Sequence, residues 1–283
     1  MPFLAELKLY PIKSCAGIAL QQATLTPAGL MTEQIYDREW MLVDADGEAL
    51  TQREFPKMAL IEPRIKGETL EVRAPGMLRL EIPLGLPHPD DERLIHVRIW
   101  DDEVDAYDCD DTTATWFSRA VGTECRLVRF HPKAERLSSM KWTDGAKAPN
   151  LFSDGFPMLV IGSGSLQDLN QKLVAQGREA LPMNRFRPNI VIGDVPPFEE
   201  EYAAAYRVGD AVLKPVKPCA RCPIPSIDQE SGEFGPDPLD VLQTYRVNPR
   251  VGDRISFGIN TILQEGEGQL VRVGQEVDIE LAF

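Results

Sequence analysis

The first hundred residues break into short alternating segments, and this density of strand-like runs between turns is what most limits the fold. "AELKLYPI", "IALQQATLT", "WMLVDADG", "MALIEPRI", "LEVRAP", "LRLEIPL" and "LIHVRIW" follow at short intervals, interrupted by Gly, Pro and Asp. Apolar and polar residues alternating along a run give one buried and one solvated face, as in a half-buried strand. Many short strands at this spacing predict a sandwich or a barrel.

The pattern continues with a few helical interruptions. "DDTTATWFSRAVG" predicts a helix over 111–121, with Asp and Thr to cap its start and Gly122 to close it. "CRLVRF" (125–130) is a strand, and a division of the chain into 1–124 and 125–283 is placed there. Residues 131–157 are polar and turn-rich without periodicity, which predicts a functional loop lying over the second domain. "MLVIGSGSLQDLNQKLVAQGREALP" passes from strand to helix, with Ser165 and Asp168 spaced as a capping box. Leu166, Leu169, Leu173 and Val174 are expected to form that helix's apolar face. "NIVI" reads as a buried strand and "DPLDVLQTYR" as a short helix with Pro in its first turn.

The net charge of −14 argues against nucleic acid or an anionic membrane as partner, because both would repel the chain. It leaves room for a local basic pocket. "MPFLAELKLYPIKS" lacks the basic-then-apolar order of a signal peptide, and no run reaches the roughly 18 apolar residues of a membrane span. Five irregularly spaced cysteines (15, 109, 125, 219, 222) suit a reducing compartment, so a cytoplasmic location is expected.

"KPCARCPIP" (217–225) holds two of those cysteines as C-x-x-C. Structural zinc needs four ligands, and only one such corner exists, with His88, His96 and His131 all preceding it at no ligand spacing. A thioredoxin-like pair sits at a helix start, whereas Pro223 and Pro225 suggest an extended turn leaving a strand. A single metal-ligating thiolate fits better, since Lys217 and Arg221 favour the ionised form and a soft donor suits a transition metal. Two small buried side chains on a barrel strand remain the equal alternative.

"PCARC" followed by "SIDQESGEFGPDPLDVLQTYR" resembles the signature of the MOSC domain, named for the C-terminal part of molybdenum cofactor sulfurase, and "RFRPNIVI" (185–192) resembles its second hallmark. "YPIKSCAGI" (10–18), "YDREWMLVD" (36–44) and "TQREFPKMALI" (51–61) resemble the β-barrel domain that precedes it. Together these motifs are similar to those of the mitochondrial amidoxime-reducing components and their bacterial counterparts. The resemblance implies a mostly β fold of two β-barrel domains with a few flanking helices, an N-terminal one over 1–124 and a MOSC domain over 125–283.

It also implies a mononuclear molybdenum held by a pyranopterin dithiolene, with one cysteine as ligand and catalytic centre. Matching C-x-R-C residue by residue makes that ligand Cys222 and its neighbour Cys219 a bystander. The pterin's phosphate and polar edges would be met by Lys13, Ser14, Arg38, Ser163, Ser165, Arg187, Asn189 and Arg221. The serine-rich start of the second helix is physically apt for phosphate, although Ser165 could equally be its N-cap. Lys13 and Arg38 could be surface charges, Asn189 could satisfy a turn, and Asp228 could belong to the pocket or to the "DQESG" turn.

The activity implied is reduction of small N-hydroxylated compounds: amidoximes, hydroxylamines and N-hydroxylated bases. The alternative is a carrier of the cofactor, or of sulfur as a persulfide, that turns over no substrate. Two positions depart from the resemblance: Pro225–Ser226 stand where Thr is frequent, and "DQESG" replaces Asp-Pro-x-Thr-Gly. No further cysteines follow Cys222 up to Phe283, and no flavin, iron–sulfur or pyridoxal-phosphate domain is discerned. The electron donor is therefore expected to be a separate protein of flavin or iron–sulfur type.

Overall fold

The computed structural model describes residues 1–86 and 93–282; His88 lies outside them. Strands make up 40% of the structure, and the described residues hold three α-helices, so the mostly β expectation stands. Among the described residues no helix is long and apolar enough to cross a membrane.

The largest sheet has nine strands. Its path runs Ile18–Leu20, Phe3–Leu9, Ile190–Gly193, Met158–Gly162, Arg254–Glu265, Ala211–Ala220, Ala203–Val208, Asp278–Leu281, with Val247–Asn248 pairing beside Arg254–Glu265. Neighbours are antiparallel except Met158–Gly162 and Ile190–Gly193, whose parallel pairing needs a crossover, supplied by helix α2 (Ser163–Ala175). All four residues of Ile190–Gly193 are buried, which explains why "NIVI" shows no alternation. In Phe3–Leu9 the buried leucines are Leu4, Leu7 and Leu9. The three-residue step between the first two coincides with a slip in register after Leu4, where an irregularity lets both face inward.

Strand pairing runs across residue 124. Phe3–Leu9 sits inside the large sheet, Arg126–Phe130 pairs with Trp40–Val43, and Leu270–Arg272 pairs with Gln22–Thr26. A three-stranded sheet of Glu62–Lys66, Thr69–Arg73 and Leu80–Pro83 stays within the first part. One buried cluster accordingly includes Leu4, Trp40, Phe117, Leu127, Val160 and Ile259.

Helix α1 (Asp111–Val121) forms as its caps foretell: Asp110 accepts from the Thr113 amide at 2.7 Å, and Gly122 closes it at φ 89°. Helix α3 (Leu239–Gln243) follows Pro238, also as expected. Three local expectations fail. Pro56–Leu60 is a 3₁₀ turn, so the strand in "MALIEPRI" begins only at Glu62. Val174 is 58% exposed, because it lies a full residue step round α2 from the buried stripe of Leu169 and Leu173. The capping box does not form: α2 begins at Ser163, its cap Gly162 has no side chain, and Ser165 already lies in the first turn. The segment 131–157 holds no helix or strand among its described residues. It contacts both halves, through Arg136 to Asp102 at 2.6 Å and Asp144 to Lys214 at 2.7 Å, so it bridges them and does not merely cover the second.

Candidate functional site

The two cysteines fall where a long strand stops. Ala211–Ala220 carries Cys219 near its end, and Cys222 lies beyond it, before the 3₁₀ turn Ile224–Ser226. This is the extended exit from a strand that the flanking prolines suggest. Both thiols are free and partly exposed, at the base of a cavity of about 830 Å³ counted to its open mouth.

Seven of the residues singled out in the sequence line this cavity: Lys13, Ser14, Arg38, Arg187, Asn189, Arg221 and Cys222. They come from segments as far apart as residues 13 and 222, and the nine-stranded sheet brings them together. Arg53 adds a fifth cation, against Asp154 as the single carboxylate in the lining. In a chain of net charge −14, such a concentration of positive charge marks a site for an anion.

The cations are held by geometry. Tyr10 is buried between two of them, with Arg38 at 4.4 Å and Arg187 at 4.3 Å from its ring centroid. Burial pushes the Tyr10 hydroxyl up to about 12, so it stays a neutral phenol and donates to the Pro188 carbonyl at 3.2 Å. Arg38 is paired with buried Asp37 and also donates to Asn189 Oδ1 at 3.1 Å. The Asn189 amide is fully used: Oδ1 also accepts from the Leu159 amide, and Nδ2 donates to the Lys8 carbonyl. Asn189 thus fixes Arg38 and ties three segments of the wall.

Arg187 is different. It donates to the Cys15 carbonyl at 2.6 Å and to Gln229 at 3.2 Å, and makes no ion pair among the described residues. Burial holds its guanidinium below the usual range, with the Arg38 charge acting in the same sense. Such a cation retains unspent attraction for an anion. Arg53 Nε and Arg221 Nε are buried in the same wall without a hydrogen-bond partner. Lys13, 4% exposed, contacts Asp154 at 2.5 Å and the Phe152 carbonyl at 2.9 Å. Burial acts to raise the Asp154 carboxyl, but Lys13, Arg53 and Arg38 together outweigh it and keep the group ionised.

The backbone is also unusual here. Ser14, Arg38, Trp100 and Arg187 all line the cavity with φ between 50° and 64°, a region that side-chain-bearing residues seldom occupy. Each such conformation costs on the order of 1–3 kcal/mol and persists only where the surroundings enforce it, most often at functional sites.

Residues 1–124 match the MOSC N-terminal beta barrel domain, and residues 147–278 match the MOSC domain. The chain belongs to the MOSC-domain proteins. It is 33% identical over 248 residues to the mitochondrial amidoxime-reducing component 1 of Mus musculus, covering 86% of this chain and 71% of that one. Component 2 of Homo sapiens is 32% identical over 248 residues, with 86% and 72% covered. The molybdenum cofactor sulfurase of Oryza sativa subsp. japonica is 32% identical over 297 residues, but 97% of this MOSC chain spans only 35% of that protein.

Two of the residues first matched to cofactor binding do not reach the cavity. Ser163 opens α2 outside the lining. Ser165 is fully buried: it donates to Glu200, with oxygens at 2.6 and 2.8 Å, and accepts from the Phe198 amide. Burial raises the Glu200 carboxyl, and the Ser165 hydroxyl acts against that rise. Ser165→Ala is therefore expected to lower stability by about 1–3 kcal/mol, the cost of an unsatisfied buried acceptor, without changing cofactor content. Urea unfolding together with metal analysis checks this; loss of metal at unchanged stability would return Ser165 to the site.

Asp228 accepts from Arg185 at 2.9 Å and from the amides of Glu230 and Ser231, outside the cavity, so it serves its turn. His96 pairs with Asp105 and Glu103 on the surface, and His131 packs on Tyr107, away from the cysteines. Sequence reasoning missed Asp154, Arg53, Trp100 and Tyr10. Tyr10 and Arg53 lie inside "YPIKS" and "TQREFP", and Asp154 lies in the loop marked as functional. Adjacency to matched motifs was thus an available signal.

Proposed function

We propose that this MOSC protein is a molybdenum-cofactor-dependent oxidoreductase that reduces N-hydroxylated compounds with electrons from a separate protein. The observation that carries the reading is the cavity itself, where five cations and a free cysteine at a strand's end face one carboxylate. The names of the relatives agree with it.

The wall fits a pyranopterin with its phosphate. Arg187 lacks an acidic partner, two guanidinium nitrogens are orphaned, and the Ser14 hydroxyl makes no hydrogen bond among the described residues. Lys13, Ser14, Arg38, Arg187 and Arg221 would hold the group, with Asn189 holding Arg38 in place. Cys222 would supply the one soft protein donor to the metal. Cys219 is suited to remain a neutral thiol: burial raises it despite Arg221, which donates to its sulfur at 3.2 Å. When bound, the cofactor supplies a metal centre that accepts electrons and takes an oxygen atom from substrate. The protein's own part is orientation and charge: Arg38 and Arg187 sit against the Tyr10 ring, and with Lys13, Arg53 and Arg221 they gather positive charge at the cavity.

Reduction of R–NHOH to R–NH₂ and water takes two electrons and two protons. Protein made in cofactor-competent cells is expected to contain molybdenum and pterin in stoichiometric amounts. It should be inert with reduced nicotinamide alone and reduce a hydroxylamine once a reduced viologen is supplied. Fully loaded protein that fails under viologen but activates an apo-molybdoenzyme would establish the carrier reading instead.

A further inference from the structure

A second concentration of positive charge lies outside the cavity and shares a wall with it. Lys217 Nζ sits 5.4 Å from the ring centroid of Trp142 and 5.8 Å from that of Phe156, and Arg250 sits 5.8 Å from Trp142. Phe156 also lines the cavity. Lys217 lies two residues before Cys219 on the strand Ala211–Ala220, where the pairing with Arg254–Glu265 slips in register on either side of Pro218. The Lys217 ammonium is pushed down first by burial, and then by Arg254 and Lys141, which places both of these charges near it.

Lys141, Lys217, Arg250 and Arg254 make no ion pair among the described residues. Asp253 adjoins Arg254 in the sequence but forms no ion pair among the described residues, and Asp144, three residues from Lys141, is engaged with Lys214 at 2.7 Å. Many of this protein's surface cations are paired, as at Arg98, Arg126 and Arg178, and the unpaired ones near Trp142 stand out by being gathered in one place. A cluster of like charges left unpaired opposes folding and is more readily explained by what it meets. Around it stand half-buried Trp142 and Met140, the latter 49% exposed; Trp, Met and Arg are enriched where proteins meet partners, and a basic patch selects an acidic one.

We infer that the surface around Trp142 is the docking face for an acidic electron-carrier protein. The inference rests on the reductase reading, which requires electrons from outside the chain. Each carrier gives up one electron, so two reduced carriers, R–NHOH and two protons become two oxidised carriers, R–NH₂ and water. Docking at Trp142 sets the carrier against Phe156 and the Cys219 end of the strand, at the back of the cavity wall.

The test uses loaded protein, a hydroxylamine and dithionite-free reduced [2Fe–2S] ferredoxin of the acidic plant type, followed by its reoxidation. Reoxidation is expected to slow steeply as salt rises, and Lys141→Glu/Arg250→Glu/Arg254→Glu should slow it at least about tenfold at low salt and flatten the salt dependence. The glutamine equivalents should fall between. Activity driven by reduced viologen should not drop in either variant. Equal ferredoxin rates in wild type and the glutamate variant, with viologen activity intact, would overturn the docking face alone. Absence of viologen activity in the wild type would overturn the reductase reading beneath it.

Discussion

Cys222→Ser should abolish N-reduction, and Cys219→Ser should leave most of it. A serine hydroxyl is a hard donor and a poor replacement for thiolate at a soft metal. Cys222 lies beyond the strand in the cavity lining, free of any hydrogen bond among the described residues, and so is available as a ligand. Cys219 accepts from Arg221 and is raised by burial, two features that a serine at 219 would largely keep. Rates measured per bound molybdenum, with viologen as donor, separate the two. The expected pattern is activity below detection at position 222 and near the wild type at 219. Equal loss from both substitutions with metal retained would point to a working cysteine pair.

Arg187→Ala should lose pterin and molybdenum together. No carboxylate neutralises Arg187 among the described residues, and its guanidinium carbon lies 4.3 Å from the Tyr10 ring centroid. A charge-assisted hydrogen bond contributes about 1.5–3 kcal/mol, so retention should weaken at least about tenfold, read as cofactor content after gel filtration. Arg187→Lys should recover only part, because lysine keeps the charge and loses the fork. Thermal unfolding of the cofactor-free proteins provides the control for a merely structural effect, since the Cys15 and Gln229 contacts are lost too. Full occupancy in Arg187→Ala would remove the residue from the site.

What was legible in the sequence is what is local. The α1 caps sit within three residues of the groups they satisfy, and the prolines around Cys222 settle the backbone there without help from afar. Ser165 was misjudged for the opposite reason. A hydroxyl in the first turn of a helix looks free for an anion, and its real partner, Glu200, lies 35 residues on. The same distance problem hid Asp154, whose role depends on Lys13, 141 residues earlier. Nor did the alternation in "AELKLYPI" reveal that its partner would be Ile190–Gly193, because period fixes which face is buried and not which strand lies alongside. In "MALI" an apolar run looked like strand, yet Pro56 at its head favoured a tight turn.

The seat of Phe3–Leu9 inside the large sheet, one strand in from its edge, bears on how the protein is made. A ribosome adds roughly 5–20 residues each second, so this strand emerges roughly ten to forty seconds before Ile190–Gly193 exists to pair with it. Through that interval its leucines have no permanent neighbour on that side, and the nascent chain needs shelter from a chaperone or from its own temporary collapse. The anion pocket has the same history: Lys13 and Arg38 appear early, Arg187 and Cys222 late. A ligand held there would therefore find the pocket complete only after its late segments have been made.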